Sequence, residues 1–139
     1  MGSFSDTPAL IAGGDVYPYR FVRVDTTGPT AAADDNTGVQ VSAASDNVVG
    51  VSDGSTNGPT SSKHAADGDP ITLQGGDVVL VQCSGNITRG ALVESDANGK
   101  AQTATTTTGA RFHGYVALQS GADGLIIRVQ KGSGWRYYP

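Results

Sequence analysis

Cysteine is nearly missing from this chain, and so is histidine. Cys83 stands alone, so neither an intrachain disulfide nor a multi-cysteine metal site can form, and its expected place is inside a strand. His64 and His113 are the only histidines, and neither has a His, Cys or Glu neighbour at metal-site spacing. Charge is sparse: Asp, Glu, Lys and Arg make up 16% of 139 residues, where about a quarter is usual. The nine Lys and Arg are scattered and outnumbered by thirteen Asp and Glu, which argues against a phosphate-binding surface and hence against nucleic acid. No apolar run approaches membrane-spanning length. "MGSFSDTPALIAGG" lacks the basic start and apolar core of a secretory signal, so a soluble protein made in the cytoplasm is expected, with no membrane partner.

Long uninterrupted segments are missing too. Gly and Pro fall so often that the longest stretch free of both is Val39 to Val49, no longer than an average helix and alternating like a strand at its start. With β-branched, Ser, Thr and Asn residues filling the rest, the expectation is an all-β fold: a small β-barrel or β-sandwich of short antiparallel strands in one domain.

Period-two patterns place the strands. "YRFVRV" (19–24) is apolar on both faces, as in a central strand; "VQV" (39–41) and "VVGVS" (48–52) follow, Gly50 marking a bulge or a close backbone approach. "VVLVQC" (78–83) is apolar at both parities and is expected to be the most buried strand. "ALVES" (91–95) returns through "DANG" to "KAQTA", Asn98-Gly99 supplying the positive φ angles of a tight hairpin. In "RFHGYVALQ" (111–119), Phe112, Val116 and Leu118 share one face; in "LIIRVQ" (125–130), Leu125, Ile127 and Val129 point inward.

Two stretches fall outside this pattern. Residues 1–18 carry Phe4, Leu10, Ile11, Val16 and Tyr17 among Gly and Pro, which reads as an extended N-terminal arm that docks on something, leaving 19–139 as the β domain. "SDGSTNGPTSSKHAADGD" (52–69) has almost no large apolar side chain and is expected as a long exposed loop.

Catalytic patterns are equally scarce. There is no G-x-S-x-G elbow, no P-loop lysine and no EF-hand continuation after "ADGD" (66–69), which reads as a turn. "NIT" (86–88) matches a glycosylation acceptor by chance. Asp34-Asp35, Glu94 and Asp96 read as turn and surface acids, so no enzyme and no cofactor are expected. "GSGWRYYP" (132–139) gathers the sole Trp with two Tyr, and two readings stand: Trp135, Tyr137 and Tyr138 pack on their own domain, or they anchor an interface.

Taken in order, "YPYRFVRVD", "NVVGVS", "GGDVVLVQCSGNITRGALVESDANGKA" and "FHGYVALQSGADGLIIRVQ" resemble the capsid decoration, or cement, proteins of tailed bacteriophages, from about Val16 to Gln130. Ala91 departs from the acidic residue common at that point of the family's hairpin. The resemblance implies a small β-barrel or β-sandwich without enzymatic activity that binds the phage major capsid protein on the outer surface of the assembled virion, usually as a homotrimer. It gives Leu10, Ile11, Val16 and Tyr17 of the arm, with Tyr19, Trp135, Tyr137 and Tyr138 of the β domain, as expected contacts to capsid or neighbouring subunits. The alternatives are a trimeric head-fibre or host- or glycan-binding module, with the aromatic tail as a stacking platform, and, last, a small jelly-roll hydrolase using the scattered acids.

Overall fold

The computed structural model describes residues 10–25, 37–40, 42, 48–104, 109–112, 115–132 and 135–138, with backbone alone for 109–112 and 135–138. The fold is all-β, without a helix among these residues. Strands β1 (Leu10–Ala12), β2 (Phe21–Val24), β3 (Thr37–Gln40), β4 (Gly50–Val51) and β5 (Pro70–Ile71) make one sheet in the order β4-β2-β3-β1-β5. The sheet curls until its ends meet: Ser52 bridges Leu73, and Gln74 N donates to Val51 O at 2.8 Å. The next strands are β6 (Val78–Gln82), β7 (Leu92–Ser95), β8 (Ala101–Thr103), β9 (Gly109–Phe112), β10 (Tyr115–Ala117), β11 (Ile126–Lys131) and β12 (Trp135–Tyr138). A second sheet, β6-β11-β10-β7-β8, also meets its own end, where Cys83 bridges Ala101 and Ser84 N donates to Ala101 O at 2.7 Å. Strands β9 and β12 form a separate antiparallel ribbon, with Trp135 opposite Phe112.

The two curled sheets repeat one another. Around the closed circle, β4-β2-β3-β1-β5 corresponds to β10-β7-β8-β6-β11, and the one parallel contact recurs, β1 with β3 and Cys83 with Ala101. The correspondence holds bond by bond. Ala12 N to Asp69 O (2.8 Å) matches Cys83 N to Leu125 O (2.7 Å), and Val16 N to Ala65 O (2.8 Å) matches Ile87 N to Gly121 O (2.9 Å). Ser52 N to Arg20 O likewise matches Ala117 N to Ala91 O, both 2.9 Å. Backbone hand repeats as well: Tyr19 (φ 58°) stands where Gly90 (φ 89°) does, and Gly68 (89°) where Gly124 (84°) does. The first and second barrels are therefore two copies of one architecture.

The second barrel holds the larger core: Val79, Val81, Cys83, Ile87, Val93, Ala101, Tyr115, Ala117, Ile127 and Val129. Phe21 and Val51 of the first barrel enter this core, and the Phe21 and Tyr115 rings meet at 5.3 Å. The first barrel keeps a smaller core of its own, Ala12, Val16, Val22, Ala65 and Ile71. Residue type explains the difference, since the central β2 sends Val22 into its own barrel and Phe21 into the neighbour.

Several expectations change. Leu10–Ala12 is an inner strand between β3 and β5, and Val16 is wholly buried, so residues 10–18 belong to the first barrel and are not a free arm; residues 1–9 lie outside the described residues. The 52–69 segment is exposed over 54–57 but returns to bury His64 and Ala65. Strand β6 alternates, with Val79 and Val81 inside but Val78 and Leu80 outside. The strand at 111–119 is split between two sheets; beyond the split Val116 and Leu118 do share a face, and it is the outward one, while Tyr115 and Ala117 face inward, Tyr115 against the Phe21 ring. Leu125 sits in the turn before β11, its N–H bonded to Ala122 O at 3.0 Å, and is exposed.

Candidate interaction surface

Each barrel connects the strand ending near Ser52 or Ala117 to the bridge residue Ala65 or Gly121. The second barrel makes this connection through Gln119 and Ser120 alone. The first uses residues 54–64, an insertion that its own repeat shows to be unnecessary for closing the barrel. The insertion folds back beside the sheet: Asn57 Nδ2 donates to Asp69 Oδ2 at 2.8 Å, Lys63 pairs with Asp15 at 3.0 Å, and the Tyr19 hydroxyl lies where a Cβ on Gly54 would be. With Asp69, Pro70 and Thr72 it encloses an open cavity of about 300 Å³.

His64 lines this cavity, yet its chemistry is occupied. The Thr72 N–H donates to Nε2 at 3.0 Å, which leaves the proton on Nδ1, facing Ser55 O at 2.9 Å and Asp53 Oδ1 at 3.2 Å. Ser55 Oγ donates to Asp53. A Ser, a His and an Asp thus meet without forming a triad, because the ring nitrogen that would take a proton already accepts one from the backbone. The second barrel solves the same problem with a glutamine: Gln119 Oε1 accepts from Arg128 N, the counterpart of Thr72 N, at 3.2 Å.

Two of the other acids, Asp96 and Glu94, are engaged in structure. Asp96 Oδ1 accepts from Asn98 N (2.8 Å) and Lys100 N (2.9 Å), and the buried Glu94 accepts from Gln102 Nε2 at 3.1 Å. "ADGD" is a turn, closed by Asp69 N to Ala66 O at 2.9 Å. Burial, aided by the Asp123 charge, pushes the Cys83 thiol above its ordinary pKa, which keeps it protonated and poorly reactive. No group of three His, Cys, Asp or Glu that could hold a metal occurs among the described residues. His113 and Asp34-Asp35 lie outside them.

The expected contact residues divide. Tyr17 is half-buried, with its N–H on Gln40 Oε1 (3.0 Å) and its ring under the Arg20 guanidinium at 5.4 Å; Tyr19 is half-buried against Gly54. Leu10 and Ile11 are half-buried in β1, and Val16 has no surface left. These five serve the first barrel and its seam with the second. Trp135, Tyr137 and Tyr138 share the β9–β12 ribbon, which places them by register only.

The surface that sequence reasoning missed lies on the second barrel, on the face corresponding to the one beside the insertion. There the cross-strand row Leu80, Arg128, Leu118 runs over β6, β11 and β10, flanked by Val78 and Ile126. These apolar residues are strongly exposed, Val78 by 47% and Ile126 by 43%, with Leu125 at 56% in the adjoining turn. Their counterparts in the first barrel include Asp53, Asp69, Pro70 and Thr72, which are polar or small and adjoin the insertion. The signal was present in the sequence: "VVLVQ" and "LIIRVQ" carry apolar residues at both parities, one set for the core and one for something outside it. No protein-family model matches the chain, and no curated protein is significantly similar to it.

Proposed function

We propose that the protein is a structural virion component that binds the outer surface of an assembled phage capsid, bridges neighbouring copies of the major capsid protein and stabilises the head. The observation that carries this reading is the bare apolar face of the second barrel: five large exposed apolar side chains around one arginine on the outward side of its sheet. Contiguous apolar surface of this kind marks a docking site. The residue order that resembles capsid decoration proteins spans both barrels and supplies the partner.

Binding only to the assembled lattice stabilises it by mass action. Assembly into trimers would multiply weak individual contacts through effective concentration. The net charge of −4 suits a protein that stays on the outside of packaged DNA. The large exposed apolar face lies on the second barrel, whereas Leu10–Ala12 is paired on both sides within the first.

Co-sedimentation with expanded, emptied heads of the encoding phage tests the reading. Saturable binding is expected, and Leu118→Asp with Ile126→Asp should abolish it while leaving the melting temperature within a few degrees. Wild-type protein that fails to bind such heads, or a double variant that binds them equally well, refutes it; binding to a glycan array instead would favour a host-attachment module.

A further inference from the structure

The apolar face has a charged centre, and its surroundings specify what the partner presents there. Arg128 lies between Leu80 on β6 and Leu118 on β10, on the outward side of the sheet. Its Nε donates to Gln119 Oε1 at 3.2 Å, and the same oxygen accepts from the Arg128 backbone N–H at 3.2 Å. One glutamine oxygen therefore holds both the backbone and the Nε of Arg128, and the two terminal nitrogens have no hydrogen-bond partner among the described residues. Among the described residues Lys63 pairs with Asp15, and no carboxylate lies within ion-pair distance of Arg128. The position is also particular to this barrel, since its counterpart in the first is Thr72.

A guanidinium held at Nε, with its terminal nitrogens unpartnered among the described residues and flanked by apolar side chains, is arranged for a planar two-oxygen acceptor. Arginine among apolar residues is also the composition of interface centres that contribute most to binding. An isologous contact between two copies of this face about an axis near Arg128 would set two guanidinium groups against each other, which disfavours self-pairing here.

We infer that this face receives a partner surface on the major capsid protein that is apolar except for one Asp or Glu, whose carboxylate pairs with Arg128 in bidentate fashion. The inference rests on the capsid-binding reading and deepens it. Once Leu80, Leu118 and Ile126 are covered, the pair is withdrawn from water, so charge at position 128 decides whether the contact forms.

The test uses full-length protein and expanded heads, with binding measured for wild type, Arg128→Lys, Arg128→Gln, Arg128→Glu and Leu118→Asp. Affinity should fall by about tenfold or more for Arg128→Gln, by less for Arg128→Lys, which keeps the charge but loses the fork, and beyond detection for Arg128→Glu. Phage carrying Arg128→Glu should regain stable heads through second-site changes of a capsid-protein Asp or Glu to Lys or Arg. If Leu118→Asp abolishes binding while Arg128→Gln and Arg128→Glu bind like wild type, the carboxylate partner is wrong and the docking face stands. If Leu118→Asp also binds like wild type, or the wild type does not bind, the capsid reading falls and this inference falls with it.

Discussion

His64 shows how a chemically suggestive side chain is put to structural use. Its Nε2 holds the Thr72 amide and its Nδ1–H the Ser55 carbonyl, so what the site needs from it is one acceptor and one donor. His64→Ala should therefore cost about 1–3 kcal/mol by orphaning buried groups, and His64→Gln, which keeps both functions, clearly less; denaturant melts of the two variants make the comparison. Equal losses would mean that ring packing, not hydrogen bonding, is what matters. Asp69 adds a pH signature. The Asn57 side-chain amide, and then the Ala66 N–H, hold its carboxylate below the ordinary pKa. A lowered folded-state value stabilises the protein above the unfolded carboxylate range and loses that contribution as pH falls below about 4. Asn57→Ala should flatten the acid limb of a stability-versus-pH curve; an unchanged limb would show that the pair contributes nothing. Lys63 carries the opposite sign: its hydrogen bond and charge pairing with Asp15 raise its pKa, so its small exposed contribution disappears only in strong alkali.

Turns and edges join the two barrels. The β7–β8 hairpin has the expected Gly99 at φ 75°, but Asn98 keeps negative φ, and Asp96 N bonds Lys100 O at 2.8 Å. The turn is thus a three-residue loop ending in a left-handed glycine, not the two-residue form read from Asn-Gly. Its tip also reaches the other barrel: Gly99 O accepts from Phe21 N (2.8 Å), Asn98 O accepts from Arg20 Nη1 (2.9 Å), and a Cβ on Gly99 would stand 2.8 Å from Gln40 Cγ. Gly99→Val should cost about 2–5 kcal/mol, left-handed strain and overpacking together, in a thermal or urea melt. A wild-type midpoint would contradict the turn geometry. Strand identities were legible because alternation and glycine placement act locally; what sequence did not reveal was which parity faces in, since Tyr115 is oriented by a ring from the far side of the seam. The edge of β6 was likewise hidden: Gln74 reaches over to give and take hydrogen bonds with the Leu80 backbone at 2.7 and 2.8 Å, filling the place of a neighbouring strand.

Two repeats of one barrel make up most of the molecule, and one trace of this was readable: "ADGDPITLQ" (66–74) against "ADGLIIRVQ" (122–130) share Ala-Asp-Gly, an Ile and a Gln in register. Elsewhere little but Gly14 with Gly85, Val22 with Val93, Asp25 with Asp96 and Val51 with Val116 survives, because a barrel fixes turn geometry and inward volume and leaves other positions free. The insertion follows from the same comparison. Replacing residues 54–64 by Gln-Ser, the pair at 119–120, should leave a cooperatively folding β protein that still binds heads, since neither the barrel closure nor the Arg128 face uses the insertion. Loss of cooperative unfolding would mean that His64 and its neighbours are needed to hold the first barrel shut. The seam has one more consequence, in time. Each barrel closes through contacts within its own half, but Phe21 and Val51 find their pocket only in the second. At a synthesis rate of about 5–20 residues per second, the first barrel waits on the ribosome for several seconds with an aromatic ring and a valine uncovered, and during that interval the nascent chain is most open to chaperones and to pairing with the wrong neighbour.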